Sequence, residues 1–505
     1  MRPYIFLLLA IGCLISCQSN TTKSVRPNIL FIMADDHSSQ AFGVYGHELD
    51  PYVRRSQFER LADEGMRLNR VYCTNAICVP SRAAILTGQY SHRNQVYTLS
   101  DALDTNRIHL GHLMQQAGYQ TAIVGKWHLK TEPQGFDYFN VLPGQGRYHD
   151  PILKEKGQPW QKKGEAYTGF STDVITDQAL NWLAGRQNQK PFFMMCHFKA
   201  VHEPFDFADR YQTLYENDTL PLPSSLREDL SHRSEGSREK GIFIEDLMLR
   251  YLNRAEFYPK PALDTVGLSE QEKWEASCQK LRKDYLRGVA GLNDNLGRIL
   301  DYLDEQGLAD NTIVIYTSDQ GYFLGEHGYI DKRWMLEESA RMPMLIRYPK
   351  GIKASSQNDD LILNVDFAPT ILDWAGVEAP DTMQGQSFRT LTEGQERADW
   401  RGSFYYRYWM QERRPAHFGV RDERYKLIFY YGLALDKVNG VEPSPVGWEL
   451  FDLQTDPQEE HNLYGDPALA TTVERLKRVL QSHREELEDT DEDYPELLDL
   501  ISKYW

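Results

Sequence analysis

Asn28-Ile29-Leu30-Phe31-Ile32-Met33-Ala34-Asp35-Asp36-His37 is the stretch on which the fold turns. Its apolar part, Asn28 to Ala34, shows no polar alternation, so a strand built from it is covered on both faces. It delivers two carboxylates and an imidazole at its carboxyl end. Three more runs also deliver an acid, a lysine or a histidine at that end. Thr121 to Val124 ends in Gly125-Lys126-Trp127-His128, Pro191 to Phe198 in Lys199-Ala200-Val201-His202, and Thr312 to Thr317 in Ser318-Asp319-Gln320-Gly321. Helical patterns separate them. The clearest steps by threes and fours through Trp274, Cys278, Leu281, Tyr285, Val289, Leu292, Leu296, Ile299 and Leu303, one apolar face of a long helix. Strands alternating with helices predict an α/β layer fold, with a large mixed, mostly parallel sheet between helices. In such sheets ligands sit beyond the carboxyl ends of the strands. A polar residue after a single strand means little. Four strands ending in acids, lysines and histidines describe a site.

Outward from these strands, residues 28–395 read as the catalytic domain. The stretch from Phe205 to Glu270 is less regular, carries Pro221, Pro223, Pro259 and Pro261, and reads as an insertion of loops and short helices at the rim (205–270). From Phe404 the texture changes to short strands with close turns, then a helix from about Leu469 to Leu487. This predicts a smaller C-terminal α+β subdomain, 396–505, with an antiparallel sheet. The acidic end, Glu485 to Glu496, reads as solvated surface.

The chain begins Met-Arg-Pro and continues with an apolar run from Tyr4 to Ile15, too short to span a bilayer. It reads as a signal peptide, 1–16. Leu14-Ile15-Ser16-Cys17 resembles the bacterial lipobox, which implies cleavage before Cys17, acylation of Cys17 and a tether over 17–27. An ordinary signal with an incidental cysteine is the alternative. The expected address is that of an exported bacterial lipoprotein, in the periplasm or on the outer membrane or cell surface. Six cysteines in 505 residues are too few for a disulfide scaffold. With 41% apolar and 26% charged residues the chain is neither disordered, collagen-like nor a multispanning membrane protein. The net charge of −17 provides no global field for nucleic acid, and an anionic ligand needs a local basic cluster.

Cys78-Val79-Pro80-Ser81-Arg82 precedes Ala83-Ala84-Ile85-Leu86-Thr87-Gly88. A proline early in a helix costs no hydrogen bond, and Gly88 suits the helix end. Cys78 then stands at a helix N-terminus, where free amides favour an anion, and Arg82 adds a forked cation suited to tetrahedral oxyanions. Alone, this is equally a thiol beside a capped helix. The arrangement closely resembles the signature of the sulfatases of the alkaline phosphatase superfamily, especially bacterial polysaccharide sulfatases. In that family the cysteine of Cys-x-Pro-x-Arg is oxidised to formylglycine (3-oxoalanine) by a separate maturation enzyme. A second family signature appears as Gly118-Tyr119-Gln120-Thr121-Ala122-Ile123-Val124-Gly125-Lys126-Trp127-His128. Ala34-Asp35-Asp36, Lys199-Ala200-Val201-His202, Ser318-Asp319-Gln320-Gly321, Gly325-Glu326-His327-Gly328, Asn364 to Thr370 and Trp448 to Leu453 are similar too. The likeness spans roughly Asn28 to Pro467. Val79, Gln320 and Val201 depart from common family residues; the Cys-x-Pro-x-Arg core is intact.

The resemblance implies an alkaline-phosphatase-like sandwich and an enzyme that hydrolyses sulfate esters on a carbohydrate, through a formylglycine hydrate made from Cys78. One hydroxyl of such a hydrate attacks sulfur and the other expels sulfate. Asp35, Asp36, Asp319 and Gln320 offer only oxygen ligands, which select a hard cation, Ca²⁺ or Mg²⁺. The family usually uses calcium, with modified Cys78 completing the shell. By the same resemblance Arg82 holds the hydrate, Lys126 and Lys332 bind sulfate, His128 assists hydrate collapse, and His202, with Lys332, protonates the leaving oxygen. Arg333 is a neighbouring alternative to Lys332. His37, His327 and His417 are weaker candidates for sugar contacts. Two rivals stand beside this reading: a phosphonate or phosphate monoester hydrolase on the same fold, and a glycan-binding surface lipoprotein with unmodified Cys78. The sugar, the sulfated position and the oligomeric state are left open.

Overall fold

Residues 28–34, the run quoted first, form the strand Asn28–Ala34 at the middle of an eleven-stranded sheet. In the computed structural model, which describes residues 26–435 and 442–505, Ser356–Asn358, Met66–Tyr72, Arg341–Arg347, Thr312–Ser318, Asn28–Ala34, Phe192–His197, Gln120–Lys126, Tyr138–Leu142, Ile152–Glu155 and Glu165–Ala166 lie side by side in that order. Ile362–Leu363 pairs Met66–Tyr72 off this path. The signal peptide and Cys17 lie outside the described residues.

The five central strands, from Thr312–Ser318 to Tyr138–Leu142, are mutually parallel. Their register sets Ala34 beside Ser318, Met33 beside His197, and His197 beside Gly125. The chain therefore leaves four adjacent strands at one level. Gly125 is required there: its φ is +94°, and a Cβ would lie 1.9 Å from the carbonyl oxygen of His197. Along the first strand Ile29, Phe31 and Met33 enter one core, and Leu30, Ile32 and Ala34 the other. Both faces are covered, as the unbroken apolar run requires.

One face carries the helix Cys78–Thr87, ended by Gly88 in the left-handed region at φ 64°. The other carries the 36-residue helix Glu270–Glu305, whose start is a reciprocal Ser269–Glu272 cap. Residues 205–270 form loops, short 3₁₀ turns, the helix Ile244–Asn253 and a two-residue strand, Ile242–Phe243, that pairs with Tyr329–Asp331. The C-terminal part is a four-stranded antiparallel sheet, Ser403–Tyr408, His417–Asp422, Tyr425–Tyr430 and Gly447–Asp452, followed by the helix Ala470–Glu486. Its apolar side chains share one core with the Ile29 face of the large sheet.

The acidic end is not simply solvated. Asp489 and Asp491 are buried and receive Arg407 at 2.7 Å each. Arg407 points into the core from its strand, and burying a guanidinium demands nearby carboxylates. No helix among the described residues is long and apolar enough to cross a membrane.

Candidate active site

The strand ends are stitched to one another before any side chain is considered. The Asp35 amide donates to Ala200 O at 3.0 Å and the Val201 amide to Asp35 O at 2.8 Å. The Asp36 amide donates to Asp319 Oδ1 at 3.1 Å. Asp36 itself has φ 63°, a left-handed conformation that aspartate tolerates better than most residues. From the long helix, Tyr285 donates its hydroxyl hydrogen to Asp36 O at 2.5 Å.

The helix Cys78–Thr87 ends its N-terminus on these loops. Cys78 Sγ lies 3.4 Å from Asp35 Oδ1 and 3.4 Å from Gln320 Nε2. One turn on, Arg82 donates from Nε to Asp319 Oδ2 at 2.9 Å, from Nη1 to Lys126 O at 2.6 Å, and reaches Asp35 Oδ1 with Nη2 at 3.4 Å. Ser81 donates to Asp319 O and accepts from Asn364 Nδ2 at 3.0 Å, which gives the Asn364 segment its place. Lys126 Nζ donates to Asp35 Oδ2 and, at 2.6 Å, to Gln145 Oε1. Lys332 Nζ donates to Asp36 Oδ2 at 2.6 Å, and His202 Nε2 stands 3.8 Å from the same oxygen. The structure thus brings together Asp35, Asp36, Cys78, Arg82, Lys126, His202, Asp319, Gln320 and Lys332, with His128 near Lys126 and Arg82.

Three carboxylates, Asp35, Asp36 and Asp319, converge within 4.8 Å and are fully buried. Burial, then the neighbouring Asp35 and Asp36 charges, push the Asp319 carboxyl up to about 7, although Arg82 opposes them. Gln320 Oε1 is buried without a hydrogen-bond partner. Crowded carboxylates and an orphaned amide oxygen are relieved by a hard cation, so the donor set fits one. Against the three acids stand three cations, Arg82, Lys126 and Lys332. A divalent ion would leave the pocket positive, as an anionic ester requires.

The titrating groups follow from this crowding. Burial pushes the Cys78 thiol far up, with Asp35 adding to it, so the unmodified thiol stays protonated. Burial and then Lys126 hold His202 and His128 well below the ordinary histidine range. Burial works to lower Lys332, but Asp36, with Cys78, Asp331 and Asp35 beside it, together raise it well above the ordinary lysine value.

Cys78 opens into a cleft of about 250 Å³ lined also by Leu99, Gln145, His202, Glu203, Arg250, Tyr322, Asp331, Lys332, Arg333 and Arg414. Gln145, Glu203, Arg250, Tyr322 and Arg414 were not found by sequence reasoning; they lie in loops and the rim insertion, where no periodicity marks them. Lys199, in the Lys199-Ala200-Val201-His202 motif, is a further cation beside the cluster. It is buried, lies 4.6 Å above the Tyr148 ring, and is lowered to about 8 by burial and Lys126.

Three weaker candidates for sugar contacts are corrected. His37 is fully buried, with Nδ1 on Tyr316 Oη at 2.9 Å and Nε2 on Ala41 O at 3.1 Å. His417 is buried among Trp334, Tyr406, Tyr408 and Tyr430, its Nδ1 on Pro415 O at 2.8 Å. His327 is buried against Glu228 and lies 3.6 Å from Glu338. None of the three lines the cleft.

Among known families, the sulfatase model matches residues 27–377, and a model described as N-sulphoglucosamine sulphohydrolase, C-terminal, matches residues 325–486. Sulfatases in general use formylglycine and a divalent metal. An N-acetylglucosamine-6-O-sulfatase of Bacteroides thetaiotaomicron is 38% identical over 97% of this chain and 92% of its own. A protein solved in complex with its substrate, D-glucosamine-2-N,6-O-disulfate, superposes with a TM-score of 0.84 at 38% identity, covering 93% of this chain and 99% of that one. The phosphonate monoester hydrolase of Silicibacter pomeroyi superposes with a TM-score of 0.71 at 25% identity, covering 91% and 96%.

Proposed function

The chain belongs to the sulfatase family and is a sulfatase, and given that membership we propose that it removes the 6-O-sulfate from glucosamine units of a glycan. The observation that carries the proposal is the 38% identity, over nearly the whole chain, to an N-acetylglucosamine-6-O-sulfatase. The cleft supports it. Beyond the Cys78 cluster its wall holds guanidinium and carboxylate groups, Arg250 with Glu203 and Arg333 with Asp331, suited to sugar hydroxyls.

Asp35, Asp36, Asp319, Gln320 and converted Cys78 are the proposed holders of the metal, calcium. When bound, the metal would supply Lewis acidity toward a sulfate oxygen, and a hydroxyl of the hydrated aldehyde derived from Cys78 would supply the nucleophile. A buried, protonated thiol is a poor substitute for it. Lys126 and Lys332 both act electrostatically on Cys78 and are placed to take sulfate oxygens. Arg82 holds the Cys78 helix end against Asp319 and Asp35. His128 serves the release half of the cycle.

His202 is the proposed proton donor. Its Nδ1 donates to Glu203 O at 2.7 Å, so the exchangeable proton belongs to Nε2. Burial, then Lys126 and Lys332, depress this ring. An anionic ester between them offsets that repulsion and lets Nε2 hold the proton until the sugar oxygen leaves.

The first residues add export and acylation at Cys17 to the proposal, and the Cys-x-Pro-x-Arg motif adds a separate maturation enzyme acting on Cys78. A second reading, phosphonate monoester hydrolysis, draws on the fold shared with the Silicibacter pomeroyi enzyme. Release of inorganic sulfate from 6-O-, 4-O- and 3-O-sulfated N-acetylglucosamine, with a phenyl phosphonate beside them, tests the proposal. The expected result is a clear preference for the 6-O ester. Preference for another position, or for the phosphonate, overturns it. Tight glycan binding without sulfate release from converted protein would favour the binding lipoprotein.

A further inference from the structure

We propose that Glu203, clamped by Arg250 and Tyr258 of the rim insertion, is the positioning residue for the proton donor His202. The inference rests on His202 being that donor. Glu203 is bonded from two sides. Its main-chain oxygen takes the Nδ1 hydrogen of His202 at 2.7 Å. Its carboxylate takes Nη1 of Arg250 at 3.0 and 2.8 Å and the hydroxyl hydrogen of Tyr258. Arg250 stands on the helix Ile244–Asn253, and Tyr258 follows it, buried and edge-on to Tyr251 at 4.7 Å.

The imidazole is therefore oriented by a carbonyl whose own residue is held by the insertion, not by the sheet that delivers His202. On the other side Tyr148 donates its hydroxyl hydrogen to His202 O at 2.6 Å. Releasing the Glu203 carboxylate leaves the sheet, the carboxylate cluster and the sulfate-facing lysines untouched, but frees the acceptor that aims Nε2. Misplacing a catalytic group by about 1 Å can cost on the order of 10²-fold. The loss falls on the step that needs the proton.

Arg250 and Glu203 line the cleft, so their loss also removes contacts to the sugar; Tyr258 does not line it. Tyr258→Phe is thus the discriminating variant. On a sugar 6-sulfate it is expected to lower kcat about 5- to 10-fold with KM within about twofold, and on nitrophenyl sulfate to change kcat less than about twofold. Glu203→Ala is expected to lose about 10- to 100-fold on the sugar ester, and Glu203→Gln, which keeps an acceptor for Tyr258, clearly less. Across aryl sulfates of rising phenol pKa, Tyr258→Phe should steepen the dependence on leaving group. Equal losses on both substrates, or no loss of kcat in Tyr258→Phe and Glu203→Ala, overturns the positioning role. His202→Ala separates the two claims. If it loses selectively on the sugar while Tyr258→Phe does not, only the clamp fails. If it loses equally on both substrates, the donor assignment fails and the clamp falls with it.

Discussion

Replacing His327 by Gln should destabilise the protein in a pH-dependent way and leave catalysis alone. The imidazole is buried, and burial pushes it down; the carboxylates of Glu228 and Glu338 more than reverse this and raise it to about 9. Glu228 responds in the opposite sense, lowered to about 2 against its own burial by His327 and Arg233. Relative to an unfolded value of about 6.5, a rise of about 2.5 corresponds to about 3 kcal/mol for the protonated pair. Because the folded value is the higher one, this stability is complete below about pH 6.5, about 2 kcal/mol at pH 7.5, and gone above about pH 9.5. Glu228 keeps Arg233 at 2.9 and 3.2 Å in the variant, so no lone buried carboxylate is left there. Thermal midpoints of wild type and His327→Gln, measured from pH 6 to 10, should differ most at pH 6 and converge by pH 9.5. The values of kcat and KM on a sugar sulfate should stay within about threefold. A gap independent of pH would refute the ion-pair account. A large rise in KM for the sugar would restore His327 as a substrate contact.

Chelation should abolish turnover, and calcium or magnesium should restore it; Asp319→Ala should weaken metal binding and turnover together, measured by calorimetry and sulfate release. Undiminished activity in thoroughly metal-free protein would remove the metal site. His202→Ala should lose about 10²–10⁴-fold on a sugar sulfate and far less on nitrophenyl sulfate, whose leaving group needs no proton.

Much of the site was legible because strands in a parallel sheet end at one level. Asp35, Asp36, Lys126, His202, Asp319 and Gln320 all follow apolar runs, and register alone gathers them. Pro80 and Gly88 announced the helix that carries Cys78 and Arg82, but only the resemblance of the Cys-x-Pro-x-Arg motif set that thiol apart from one beside any capped helix. His327 misled because a motif conserves residue type, not partner. Its partner Glu228 lies in the rim insertion, about 100 positions earlier, and nothing local announces the pair. Glu203 and Arg250 were hidden in the same way: an ion pair across 47 positions leaves no periodicity. Asp489 and Asp491 show the reverse error. An acidic run usually faces water, but a buried arginine on a distant strand drew two of its carboxylates inside.

The chemical state of residue 78 in active protein decides most directly between a sulfatase working through formylglycine and any other reading of this site. Mass spectrometry of the peptide containing Cys78, with hydrazide trapping, should show an aldehyde in place of the thiol, in a fraction that tracks sulfate release between preparations. Full sulfatase activity in protein whose Cys78 is entirely free thiol would contradict the account.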